Sequence, residues 1–150
     1  MKKTTAAILI GSAVLGAGLF WHMTHGISLF AHTDYGDKDA NSHTEDEIRM
    51  AFSMARKAFR RFDGCILTDL RYSEELTQQE QAQYDHDFKL YVGEPDKWVD
   101  NVIVLESTFK TNSPFASEEW NNYTQDHWKW IITHTPEGGW ELRDGYWGYA

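Results

Sequence analysis

The first apolar run is also the longest: from Thr4 to Met23 the chain carries twenty residues without a formal charge. As a helix rising about 1.5 Å per residue, such a run spans about 30 Å, the depth of a bilayer core. Residues 1–25 are therefore expected to be a membrane anchor or signal segment. Residues 26–43 keep no helical or strand period and read as a polar linker. A folded unit is expected over residues 44–150. Thr44-Glu45-Asp46-Glu47 has the capping-box pattern. Behind it Ile48, Ala51, Phe52, Ala55, Ala58, Phe59 and Phe62 recur at three- and four-residue steps, which predicts a helix with one apolar stripe, stopped at Asp63-Gly64.

The period then changes. CILTDLRY, Cys65 to Tyr72, reads as a strand with Ile66, Thr68, Leu70 and Tyr72 on one face and Cys65, Leu67, Asp69 and Arg71 on the other. Ser73 can cap a second helix reaching Leu90, although its apolar stripe is weak. Gly93 to Asp100 is expected to connect, with Trp98 folding back onto the core. NVIVLESTFKT, Asn101 to Thr111, is the plainest strand, and a long polar loop should follow to Asp126.

The closing segment predicts a hairpin. A three-residue loop at Pro136-Glu137-Gly138 sets His134 opposite Trp140, Ile132 opposite Leu142, Trp130 opposite Asp144 and Trp128 opposite Tyr146. Trp128, Trp130, Ile132, Trp140 and Leu142 then share a core face, and Lys129, Thr133, Glu141 and Arg143 are left for water. The whole reads as an α+β domain: one or two helices on one face of a curved, four-stranded antiparallel sheet.

Charge narrows the partners. Lys and Arg number 14 against 23 Asp and Glu, a net of −9. Nucleic-acid binding needs clustered cations to neutralise phosphates. Here the only cluster is Arg56, Lys57, Arg60 and Arg61 near a helix C-terminus, where the macrodipole favours it. Lys2 and Lys3 ahead of the apolar run favour an N-terminus held inside, with the domain extracytoplasmic on a single-pass anchor at the cell membrane. The alternative is secretion after signal cleavage near Gly16-Ala17-Gly18. Cys65 is the sole cysteine, so no intrachain disulfide forms.

Chemical motifs are sparse. Asp37, Asp39 and Asn41 match the first half of a calcium loop, but Ser42 stands where glycine belongs and Ile48 where the bidentate glutamate belongs. The seven histidines show no zinc spacing, so neither metal nor cofactor is expected. No nucleophile elbow occurs. Asp69 lacks an identifiable partner, and the hairpin register separates His134 from Asp144 by roughly 13 Å. No catalytic residue is assigned. Trp120, Tyr123, Trp147 and Tyr149 are the candidates for ligand contact, as an aromatic platform for sugar rings.

Phe62-Asp63-Gly64-Cys65, Leu70-x-Tyr72-x-Glu74-Glu75, Val102-Ile103-Val104-Leu105, Trp128-x-Trp130-Ile131 and a terminal Gly148-Tyr149 together carry a family resemblance. The chain resembles a bacterial family of anchored, exported proteins with a domain of unknown function. The fold this implies is similar to the cystatin-like cone of the nuclear transport factor two superfamily. That resemblance implies a pocket between helix and sheet but carries over no functional residue. The expectation is a non-catalytic binding or interaction module at the cell envelope, its partner an envelope protein or a small ligand. The alternatives are a small-molecule-pocket enzyme or ligand binder of the cone type, and a cell-wall carbohydrate-binding module.

Overall fold

Thr44 starts the first helix as its sequence expects. Its hydroxyl accepts from the Glu47 amide at 3.3 Å, and the Glu47 carboxylate accepts from the Thr44 amide at 2.8 Å. The Thr44 amide, outweighing the opposing effect of partial burial, holds the Glu47 carboxyl below its ordinary range. The computed structural model of the chain describes residues 26–90, 99–111 and 123–143, the side chains of residues 86–90 excepted. Its elements are β1 (His32–Asp34), α1 (Glu45–Phe59), β2 (Cys65–Tyr72), α2 (Glu74–Leu90), β3 (Asn101–Thr111), β4 (Thr124–Thr135) and β5 (Gly139–Leu142). No helix among the described residues is long and apolar enough to cross a membrane, and the apolar segment 4–23 lies outside them.

The architecture is α+β, two helices on a five-stranded mixed sheet in the order β1-β2-β3-β4-β5. β1 runs parallel to β2, and every other neighbour is antiparallel. The fifth strand comes from the stretch read as linker. His32–Asp34 pairs with Asp69–Arg71, Ile27 bridges Ile66, and Ala31 is buried in the core. Three residues are too few to show a period, so this strand is invisible to patterning.

α1 buries Ile48, Ala51, Phe52, Ala55 and Phe59, and they meet Leu67, Leu70, Ile103, Leu105, Trp130 and Ile132 in the main core. Phe62 stacks on Phe59 with centroids 4.9 Å apart, and Gly64 takes the left-handed φ of 71° that turns the chain into β2.

Two expectations about faces are corrected. Along β2 the pairing slips between Leu67 and Asp69, leaving Thr68 as an extra residue whose hydroxyl donates to the Thr108 carbonyl at 3.0 Å. A β-bulge shifts the alternation by one. Cys65, Leu67, Leu70 and Tyr72 therefore all enter the α1 core, and Asp69 and Arg71 turn to the opposite face. Strict alternation had split those four apolar residues between faces.

The second correction concerns the layers. α2 does not join α1: Val102, Val104 and Ile131 form a separate buried cluster with Leu76, Tyr84 and Val99. In β3 these valines alternate with Ile103 and Leu105, so the two helices cover opposite faces of the sheet. Thr133, expected in water, is 3% exposed, and Arg143 lies over the Tyr84 ring 5.2 Å from its centroid. The described side chains of α2 meet the sheet through Leu76, Tyr84 and the buried Thr77 hydroxyl, which accepts from the Val104 amide at 3.0 Å, a set too polar-tipped to make a strong apolar stripe. The hairpin register is as expected, with Ile132 opposite Leu142 and His134 opposite Trp140. Trp130 and Ile132 are buried, with Trp128, Trp140 and Leu142 packed partly against them. The pairings drawn to Asp144 and Tyr146, and the placement of Trp98, fall outside the described residues.

Candidate ligand groove

On the α2 face the apolar cover ends at Val104, and the next residue of β3 on that face is Glu106. Its side chain is only 11% exposed, yet it lies at the floor of an open cavity of about 260 Å³ that is also lined by Asp34, Asp69, Arg71, Asp126 and His127. Each side chain is set by the register. Arg71 pairs directly with Glu106 across β2 and β3, and its Nε and Nη2 donate to Oε2 at 2.9 and 2.5 Å. From the other side, His127 Nδ1 lies 3.1 Å from Oε1.

His127 reaches that carboxylate through a second bulge. Between Ser107 and Phe109 the pairing partner in β4 jumps from Trp128 to Gln125, one residue more than β3 supplies. His127 takes up the excess at φ 57°, in a left-handed region that costs a residue with a Cβ about 1–3 kcal/mol. The hydrogen bond to Glu106 is the visible compensation.

The tautomer follows from this contact. A carboxylate oxygen can only accept, so Nδ1 carries the proton and Nε2 is left for the cavity. Among the described residues, the side chains of Arg71 and His127 make no hydrogen bond except those to Glu106. A buried carboxylate thus holds two half-exposed cationic or polar groups in fixed orientation while their outer nitrogens stay open. Asp34, Asp69 and Asp126 add acceptors, and His32 sits 4.0 Å from Asp69. With four carboxylates against one guanidinium and two imidazoles, the cavity is acidic and suits hydrogen-bond donors.

A second network lies behind the groove. His43, 8% exposed, places Nδ1 3.1 Å from Tyr72 Oη and Nε2 2.9 Å from Asn101 Oδ1. The Val102 amide also donates to Asn101 Oδ1, which marks that atom as the acceptor and puts a proton on His43 Nε2. Tyr72 donates to Glu74 Oε2 at 2.5 Å, and the Ser42 amide donates to the same oxygen at 2.8 Å. Burial, and then the hydrogen bond to Glu74, push the Tyr72 phenol up to about 12. Burial alone would raise Glu74, but the hydrogen bonds from Tyr72, Ser42 and Gln78 together bring it below the ordinary carboxylate range. These side chains bond to one another, so the network clamps residues 42–43 to the sheet.

The residues singled out from sequence are scattered. Tyr123 is 45% exposed and its hydroxyl donates to Gln125 Oε1 at 2.9 Å. Trp120, Trp147 and Tyr149 lie outside the described residues. Asp69 has a neighbour, His32, that patterning could not supply. His134 is held by Asp100 at 2.6 Å, and Asp144 lies outside the described residues; no nucleophile hydrogen-bonds to His134 among those described. No group of three or more metal-ligating side chains occurs among the described residues. Cys65 is buried, and burial followed by the nearby Asp63 pushes its thiol up, away from reactivity. Arg71, Glu106 and His127 were missed as a site, although a glutamate in the middle of the Val-Ile-Val-Leu strand was a signal in plain view.

No family model matches the chain, and neither a curated protein nor a solved structure was found to match it.

Proposed function

We propose that this chain is a non-catalytic recognition module of the cell envelope, whose groove on the α2 face takes a small polar ligand without net negative charge, rich in hydroxyl or amine donors. The observation that carries the reading is Glu106: a buried carboxylate spent on orienting Arg71 and His127 toward an open cavity. A purely structural ion pair would need neither the left-handed His127 nor the space in front of it. The acidic balance of the cavity argues against anionic ligands, as the net charge of −9 does for the chain. The envelope location rests on the apolar segment 4–23 with its two preceding lysines, and on the resemblance to anchored, exported proteins with a cystatin-like cone. An enzyme reading would have to use the open Nε2 of His127 as its base, and no hydroxyl or thiol hydrogen-bonds to that atom among the described residues. The sugar-platform reading keeps only Tyr123 among described aromatics.

The test uses the full chain in detergent micelles with glucosamine, N-acetylglucosamine and spermidine as donor-rich probes and citrate as the anionic one. Binding of a donor-rich probe that shifts the His127 ring resonances in NMR, and is lost in Glu106→Gln, supports the reading. Binding of citrate alone, or probe binding indifferent to Glu106→Gln, refutes it.

A further inference from the structure

Leu29 and Phe30 are 80% and 86% exposed, far more than any other large apolar side chain described. They are the two central residues of a turn closed by the Ala31 amide on the Ser28 carbonyl at 3.4 Å. The turn is fixed at both ends. Before it, the Gly26 amide donates to the Arg60 carbonyl at 3.2 Å, and Ile27 exchanges backbone hydrogen bonds with Cys65 and Leu67. After it, Ala31 is buried and its carbonyl accepts from Arg56 Nη2 at 3.5 Å. Gly26 is pressed so closely to α1 that an added Cβ would lie 2.0 Å from the Phe59 carbonyl oxygen.

Two independent features converge on this turn. The first is charge: it is stitched to the end of α1 where Lys57, Arg60 and Arg61 are exposed and Arg56 is half-buried, with Asp63 the acid next in sequence. The acidic turn Glu45, Asp46 and Glu47 lies at the far end of this helix, about 20 Å away at 1.5 Å per residue. In a chain of net charge −9, this is a locally positive end. The second is chain length: the uncharged run ends at Met23, and only three residue steps, about 11 Å when extended, separate it from the pinned Gly26. If residues 4–23 enter a bilayer, this end of the domain cannot leave its surface.

We propose that the Ser28–Ala31 turn and the cations around it form a docking surface for an anionic lipid bilayer, with Leu29 and Phe30 inserted among the headgroups and Lys57, Arg60 and Arg61 against the lipid phosphates. Apolar wedges rimmed by lysine and arginine are what such a surface retains, and attraction fades within a Debye length of about 8 Å, so only a pinned domain exploits it fully. The proposal rests on the anchor reading for its geometry, and its test separates the two.

The full chain is reconstituted into phosphatidylcholine vesicles with and without phosphatidylglycerol, carrying a nitroxide at Phe30→Cys or at Asp39→Cys; the buried Cys65 stays unlabelled. The expected result is that position 30 relaxes with membrane-dissolved oxygen and is shielded from an aqueous nickel chelate when phosphatidylglycerol is present, whereas position 39 does the opposite. The triple variant Lys57→Gln, Arg60→Gln, Arg61→Gln should lose this shielding, by roughly fivefold per cation. Equal aqueous exposure at positions 30 and 39 overturns the docking surface, and shielding that ignores phosphatidylglycerol overturns its anionic assignment. Alkaline carbonate extraction reads the anchor separately. Should the protein be released, cosedimentation of the released chain with phosphatidylglycerol vesicles decides: a drop of at least about tenfold in Leu29→Ser, Phe30→Ser sustains the surface, and unchanged binding overturns it.

Discussion

Replacing Tyr72 by Phe deletes one oxygen from the clamp and leaves the ring in the core. Tyr72 is 5% exposed, and its hydroxyl donates to the Glu74 carboxylate while lying 3.1 Å from His43. A hydrogen bond to a charged acceptor contributes about 1.5–3 kcal/mol, and that is the loss expected at neutral pH. The pH dependence is the sharper quantity. Burial and then Glu74 raise the phenol from 10.0 to about 12 in the folded protein. The unfolded chain therefore ionises first: the contribution is intact below pH 10 and is lost as pH rises toward 12. One unit corresponds to about 1.4 kcal/mol, so the wild type should lose roughly that amount from this group by pH 11 and about twice as much above pH 12. Urea unfolding of wild type and Tyr72→Phe at pH 8 and pH 11 measures the difference, in which the six other tyrosines cancel. The stability gap should narrow by about 1.4 kcal/mol. A gap that is the same at both pH values would refute the assignment of Tyr72 as a buried, hydrogen-bonded phenol.

Four further outcomes are expected. Thr44→Ala, which removes the hydroxyl of the capping box, should cost about 1 kcal/mol in thermal unfolding. Thr68→Ala should cost about the same for its bond to the Thr108 carbonyl, whereas deletion of Thr68 should abolish cooperative unfolding by sending Cys65 and Leu67 to the wrong face. Ile131→Ala should lose about 2–5 kcal/mol in chemical denaturation, as befits a core residue under α2; a loss below 1 kcal/mol would mean that the second face is open. Cys65, buried and with its thiol raised, should react with an aromatic disulfide reagent only as fast as the protein opens, and rapid labelling of the native state would contradict its placement.

What could be read in the sequence was whatever repeats. The α1 stripe spans four turns, β3 alternates over eleven residues, and the hairpin has only one register that collects its tryptophans, so all three were legible. The misreadings in β2 and β4 share one physical origin. A bulge adds a residue without altering composition, so the parity of β2 after Thr68 and of β4 before Trp128 cannot be taken from patterning. Without those shifts Asp69 and Arg71 share a face with Cys65 and Leu67 and His127 does not reach Glu106, and the groove does not exist. α2 escaped assignment to its own face because Thr77 and Tyr84, two polar-tipped residues, stand where an apolar stripe would announce burial. The clamp was equally hidden, since His43 and Asn101 are 58 positions apart and nothing in either neighbourhood names the other.

The strands at the rims of the sheet are short. Among the described residues β1 has three and β5 four, against eight, eleven and twelve in the strands between them. Unpaired backbone along a rim is the template on which one sheet adds to another, and its reach scales with its length. Among the described residues, the rim strands β1 and β5 therefore offer a second sheet only three and four residues of backbone to pair with.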